Sequence, residues 1–265
     1  MAIVPVLALQ QLSHVYVNAK GASLALEQLD LRVERGEFVS LVGPSGCGKT
    51  TVLSLLAGLF PPTKGQVLLD GEAVAGPSPK VGYMLQQDFL FPWRTIRDNA
   101  AVGLEISGRK TPQAMTLVDE LLAELGLPDS GRRYPHELSG GMRQRVALAR
   151  TLATEPEVLL LDEPFSALDL HIKLQLEDLV HETLTRRGKT AVLVTHDLAE
   201  AAAMSDRVIV LGRNPGHIKC EVVIDEELRS ISPMAARRLP SFQATFEQLW
   251  AELDAVEDEG GTRNG

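Results

Sequence analysis

Short apolar runs recur along the chain, each ended by glycine, proline or a charged residue, and stretches with helical spacing lie between them. Phe38-Val39-Ser40-Leu41-Val42, Val158-Leu159-Leu160-Leu161 and Thr190-Ala191-Val192-Leu193-Val194-Thr195 are apolar without alternation, as strands buried on both faces are. Val81 to Leu85, Arg207 to Leu211 and His217 to Ile224 read as further strands, with Gly212 to Gly216 a tight turn between the last two. Residues 6 to 42 read as strands joined by turns. Within them Leu24 to Leu26 is a short piece, and Leu29-Asp30-Leu31-Arg32-Val33 alternates as a half-buried strand does. Gln66 to Asp70 is another strand, entered from the Pro61-Pro62-Thr63-Lys64-Gly65 turn. Helical spacing runs from Thr51 to Ala57, from about Asp169 to Arg187 and over 198–204. Strands alternating with helices predict a mostly parallel sheet with ligands at the carboxyl ends of its strands. From Gln86 to about Glu155 the pattern is helical, over 96–104, 112–125 and 141–153, which predicts a helical subdomain inserted into an α/β core. Pro233 to Val256 predicts one helix with Phe242, Phe246, Leu249, Trp250 and Leu253 sharing a core-packed face. The polar, glycine-rich stretch 257–265 is expected to be a disordered tail.

The stretch Gly43-Pro44-Ser45-Gly46-Cys47-Gly48-Lys49-Thr50-Thr51 carries the picture from fold to chemistry. It matches G-x-x-x-x-G-K-[ST] between a buried strand and a helix start, the context in which that pattern cradles phosphate. Its glycines let backbone N–H groups converge on an anion, Lys49 can reach the β- and γ-phosphates, and the Thr50 hydroxyl can ligate Mg²⁺. A turn needed only for packing gives no reason for the Lys-Thr pair, so the chain is read as binding a nucleoside triphosphate. Asp162 and Glu163 close an apolar strand, which delivers a carboxylate to Mg²⁺. Asp162 would hold the metal through a water, and Glu163 would polarise an attacking water as general base. Leu138-Ser139-Gly140-Gly141-Met142-Arg143-Gln144 opens a helix with a hydroxyl and two glycines, a second anion-ready start. Two glycines are more than an ordinary serine cap requires, and a second phosphate-binding end suggests a site closed from two sides. Tyr16, taken alone, reads as a core tyrosine, although an aromatic face near a nucleotide can stack on its base.

Composition narrows the setting. A chain of 265 residues with 45% apolar content can bury a sizeable core. A net charge of −9 argues against nucleic acid as the partner. Cys47 and Cys220 form no spaced framework, which points to a reduced compartment. No apolar run approaches the roughly 18 to 20 residues of a membrane span, and the N-terminus lacks the charged region of a signal peptide. The expectation is a soluble chain that can dock on a membrane protein. No Asn-Lys-x-Asp guanine reader is present, which disfavours GTP.

In their order, Gly43–Thr50, Gln86, Leu138–Gln144, Asp162-Glu163, Ser166-Ala167-Leu168-Asp169 and His196 resemble the ATP-binding cassette of ABC transporters, over about residues 6 to 225. The resemblance implies an α/β P-loop NTPase core with a mostly parallel sheet, an N-terminal antiparallel β subdomain and an inserted helical subdomain at about 87–155. A C-terminal helical extension over 226–256 would follow. It implies an ATP hydrolase using ATP and Mg²⁺, in which Tyr16 stacks on adenine and Gln86 senses Mg²⁺ and the attacking water. Ser139, Gly140 and Gly141 would bind the γ-phosphate of ATP held by a second cassette, Asp169 would lie in the loop linking the two sites, and His196 would contact the γ-phosphate. It further implies a head-to-tail homodimer with ATP at the interface and a membrane permease as a separate chain, the cassette sitting peripherally on the cytoplasmic face. Gln86 to Trp93, the Gly212–Gly216 turn and the C-terminal helix look like importers of nitrate, sulfonates or taurine, where a solute-binding protein delivers the substrate. An exporter cassette and a soluble, non-transport ABC ATPase are the alternatives. The Phe91-Pro92-Trp93 loop favours import over the first, and the charge and single phosphate loop speak against the second.

Overall fold

The structure, a computed structural model, describes residues 4–19 and 21–261. Its strands are β1 (Leu7–Asn18), β2 (Gly21–Val33), β3 (Phe38–Val42), β4 (Lys64–Leu69), β5 (Glu72–Ala73), β6 (Val81–Met84), β7 (Val158–Asp162), β8 (Thr190–Val194), β9 (Arg207–Gly212) and β10 (His217–Val223). Six form one sheet in the order β10-β9-β3-β8-β7-β6, parallel except between β9 and β10. Every residue of β3, β7 and β8 is buried, which is why those runs do not alternate. The remaining strands form the antiparallel sheet β2-β1-β4-β5, the expected N-terminal β subdomain.

Two cores flank the parallel sheet. Leu7, Leu26, Leu41, Leu53 and Leu160 belong to the one between the sheets, around helix Lys49–Leu56. On the other face Leu148, Leu159, Phe165 and Val180 join helices Gly140–Leu152 and Leu170–Arg186 to the helical segment. The α/β fold class with its inserted helices is therefore as expected, and several boundaries are not. β2 is one long strand where two short pieces were expected, because pairing with β1 carries it through its polar middle. Register shifts absorb the mismatch, with Gln11 and Gln28 at φ 45 and 48 and the Gln28 N–H donating to Ser13 Oγ. The helix expected over 96–104 is two, Ile96–Ala100 and Val102–Ile106.

The C-terminal region departs further. The single helix expected from Pro233 to Val256 is broken into Pro233–Ala236 and Pro240–Gly261, because Pro240 lacks an N–H and cannot continue a helix entering it. A short helix, Glu226–Arg229, precedes them, within the helical extension expected over 226–256. Of the expected apolar face, Phe242 and Leu249 are buried and Phe246 and Leu253 half-buried on a third core with Val42, Leu198 and Val210. Trp250 is 59% exposed, so it is not part of that packing. The stretch expected to be disordered from 257 continues as helix to Gly261, since extending an anchored helix costs far less than starting one. Residues 262–265 lie outside the described residues.

Arg237, in the link between those two helices, pairs with the fully buried Glu177 at 2.6 Å. Burial pushes the Glu177 carboxyl up to about 7 from 4.5, against the pull of Arg237 and Lys173 and with the nearby carboxylates of Glu200 and Asp197 adding to the rise. An acid raised in the folded state stabilises through its protonated form. That contribution is complete below pH 4.5 and is lost as pH rises through about 7. It is worth about 3 kcal/mol. Unfolding free energy by urea should therefore fall more steeply from about pH 5 to 8 in the wild type than in Glu177→Gln, whose amide cannot ionise. Parallel profiles would contradict this.

Candidate functional site

The sheet order explains why residues scattered through the chain meet. β3, β8, β7 and β6 are neighbours running the same way, so the residues that follow them lie side by side at one edge. After β3 comes the glycine-rich loop, after β8 His196, at the end of β7 Asp162 and Glu163, and just beyond β6 Gln86. This is the carboxyl-end arrangement the alternating pattern predicts.

Gly48 caps helix Lys49–Leu56 at φ 100, and a Cβ there would lie 2.5 Å from Leu26 Cδ2, so only glycine fits. With no side-chain cap, the first N–H groups of the helix are left for a ligand. Lys49 donates to the carbonyls of Gly43 (2.7 Å) and Pro44 (3.1 Å), which holds its ammonium across the loop. A cavity of about 600 Å³ opens over the loop, a volume suited to a small molecule. Ser45, Gly46, Lys49, Thr50 and Thr51 line it together with Glu163, His196 and Tyr16. Cys47 does not line it, because its side chain is buried in the core between the sheets. Tyr16 is 43% exposed, not a core residue, and its hydroxyl lies 3.2 Å from Thr51 Oγ1.

Glu163 sits at φ 46, a left-handed backbone that costs a glutamate on the order of 1–3 kcal/mol. The turn is held by the Glu163 N–H donating to Val194 O and by Ser166 Oγ donating to Glu163 O. Its carboxylate oxygen Oε2 lies 3.3 Å from Gln86 Nε2 and 3.2 Å from His196 Nδ1, so both side chains converge on it. Gln86 also donates to Ser166 Oγ at 3.1 Å. Thr50 Oγ1 donates to Asp162 Oδ1 at 3.4 Å, and the Tyr83 hydroxyl donates to Asp162 Oδ2 at 3.2 Å. Burial pushes the Asp162 carboxyl upward and Glu163 adds to the rise, while the Tyr83 bond opposes it. A buried carboxylate under that penalty, beside a threonine hydroxyl, suits a divalent cation. Among the described residues no three acidic, histidine or cysteine side chains form a cage. The donor set of one hydroxyl and one carboxylate, Thr50 and Asp162, fits Mg²⁺, which takes phosphate oxygens and waters as ligands beside one or two protein groups.

The second anion-ready helix start lies elsewhere. Ser139, Gly140, Gly141 and Asp169 do not line the cavity. Ser139 is exposed and caps helix Gly140–Leu152, accepting from the Met142 N–H at 3.4 Å. Gly141 has a packing reason that was not foreseen, since a Cβ there would meet Ile172 Cγ2 at 2.5 Å. Only Gly140 remains without one. Asp169 caps helix Leu170–Arg186 by accepting from the Ile172 N–H.

Four further contributors were given no place in the site by the sequence. Gln144 donates to Gln86 O, and Arg150 to the carbonyls of Asp88 and Phe89, tying the loop after β6 to helix Gly140–Leu152. The Gly212–Gly216 turn reaches the cavity through Asn214, Pro215 and Gly216, with Gly216 donating to Ala25 O. Tyr83 lies within a strand and carries no motif. Gln144 closes the run that begins at Leu138, and the Gly212–Gly216 turn is itself legible, so both carried a usable signal; Tyr83 and Arg150 had none.

A family model described as ABC transporter matches residues 26–166. An ABC transporter ATP-binding protein of Bacillus subtilis (strain 168), described as uncharacterized, is 49% identical over 251 residues, covering 95% of this chain and 96% of its own. The taurine import ATP-binding protein TauB of Escherichia coli (strain K12) is 38% identical over 246 residues, 92% of this chain and 96% of its own. A solved dimeric ATP-binding cassette, in a post-hydrolysis state with ADP and phosphate, superposes with a TM-score of 0.73 at 31% identity, over 83% of this chain and 99% of that one.

Proposed function

Since this chain belongs to the ABC transporter ATP-binding family, and is thus an ATP-hydrolysing enzyme, we propose that it powers import of a small solute of the nitrate, sulfonate or taurine kind through a separate membrane permease. The observation that carries the catalytic part is the convergence of Gln86 and His196 on the Glu163 carboxylate beside the Gly43–Thr51 cradle. Glu163 takes the proton of the attacking water, Gln86 holds that carboxylate and senses the water and Mg²⁺, and His196 contacts the γ-phosphate. Lys49 and the free N–H groups of the first helical turn bind the phosphates, and Tyr16 stacks on the adenine. Thr50, Asp162 and Gln86 would hold Mg²⁺, which would supply neutralisation of the charge on the phosphates.

Two copies pack head to tail, each cradle covered by Ser139, Gly140 and Gly141 of the other, with Asp169 between the sites. The outward position of that helix start within one chain supports this reading. So does the dimeric cassette among the similar structures. No described helix is long and apolar enough to cross a membrane, and the cassette works at the cytoplasmic face beside its permease. A solute-binding protein on the far side completes the importer. Residues 6–225 form the cassette, with the helical subdomain at about 87–155, and residues 226–256 form its extension.

The loop after β6 supplies the docking surface. Leu90 is buried, yet Phe89 is 57% and Trp93 72% exposed. The Phe91 and Trp93 rings lie 5.4 Å apart, and buried Asn99 fixes the loop by accepting from the Phe91 N–H and donating to Phe91 O. An exposed tryptophan set against a half-buried phenylalanine is an anchor for a partner. Trp93→Ala should lower solute uptake by the reconstituted transporter roughly tenfold or more, while hydrolysis by the free subunit and its melting temperature change little. If uptake, hydrolysis and melting temperature drop together, the loop is core packing and the docking role is wrong.

A further inference from the structure

Tyr83 belongs to none of the motifs, yet its hydroxyl is 3.2 Å from the carboxylate assigned above to Mg²⁺. The strand period explains the meeting. Tyr83 pairs in register with Leu160 on β7, and Asp162 lies two positions further along, hence on the same face as Leu160. That face looks toward helix Lys49–Leu56, where Thr50 waits at the first turn. A tyrosine on β6 is long enough to reach one step ahead to the strand end, where a shorter side chain is not.

We propose that Tyr83 is a positioning residue for the metal site: its hydroxyl holds Asp162 Oδ2, so that Oδ1, beside Thr50, is the oxygen offered to Mg²⁺. The two oxygens of Asp162 have different partners, Thr50 Oγ1 on Oδ1 and the phenol on Oδ2. The phenol O–H is the donor of this pair, since an ionised carboxylate can only accept. Phenylalanine in its place would leave Oδ2 of a buried carboxylate without its donor. The carboxylate would then be free to turn, and the fixed choice of the oxygen beside Thr50 would be lost. Groups that orient a metal ligand in this way typically contribute roughly 10- to 100-fold to metal affinity.

This inference rests on the proposed role of Asp162, and the test separates the two. Mn²⁺ replaces Mg²⁺ and is titrated into the protein–ATP complex in the Glu163→Gln background, so that no nucleotide is consumed, with free Mn²⁺ read by electron paramagnetic resonance. Tyr83→Phe should weaken Mn²⁺ binding roughly tenfold. ATP affinity in EDTA and the melting temperature should stay close to the parent values. Unchanged Mn²⁺ affinity overturns the proposal, and so does a parallel loss of metal-free ATP binding, which marks a general loosening of the fold. Asp162→Asn is the reference. If it binds Mn²⁺ as the parent does, the metal assignment itself fails; if it loses Mn²⁺ while Tyr83→Phe does not, only the positioning role fails.

Discussion

Glu163→Gln is expected to cut ATP turnover by roughly 10²- to 10⁴-fold, about 3–5 kcal/mol of barrier, while ATP binding is retained. Glutamine keeps the length and shape of the side chain. Its amide can still meet Gln86 and His196, which lie 3.3 and 3.2 Å from the native carboxylate. It cannot accept the proton of the attacking water, and that is the whole of the change. The cradle residues Lys49 and Thr50 are untouched, so the nucleotide still binds. With ATP bound and no hydrolysis to release the interface, the variant should run as a stable dimer in size-exclusion chromatography with ATP, and as a smaller species without it. Turnover at the wild-type rate would remove Glu163 from the role of general base.

The parallel sheet was legible because its strands are buried on both faces, and β3, β7 and β8 therefore carry runs that no helix or exposed strand shares. The phosphate cradle was legible because a backbone turn forced to φ 100 at Gly48 leaves a glycine in the sequence. The strain at Glu163 was not, since the same left-handed backbone there is imposed on a non-glycine residue by its surroundings. Tyr83 acts through one hydrogen bond and Arg150 through two carbonyl contacts, each to residues far apart in the chain, and such partners leave no local pattern. The long β2 was misjudged because pairing with β1 overrides its own polar middle. The break before Pro240 could have been read, since proline at that position ends any helix entering it.

The composite site is the central claim, and mixing two disabled subunits tests it most directly. Lys49→Ala removes the ammonium held at the Gly43 and Pro44 carbonyls. It should cost about 1.5–3 kcal/mol per charge-assisted bond to phosphate, roughly 10- to 100-fold in ATP affinity. Ser139→Arg leaves the subunit's own cradle whole, because Ser139 does not line that cavity, and blocks the helix start offered to the partner. Each variant alone should be inactive, with circular dichroism confirming that both fold. In a head-to-tail heterodimer both lesions fall in one site and the other site is wild type. Random pairing of an equal mixture then restores about a quarter of the wild-type ATPase activity when sites act independently. Activity of the mixture that stays at the sum of the two separate variants would contradict the account.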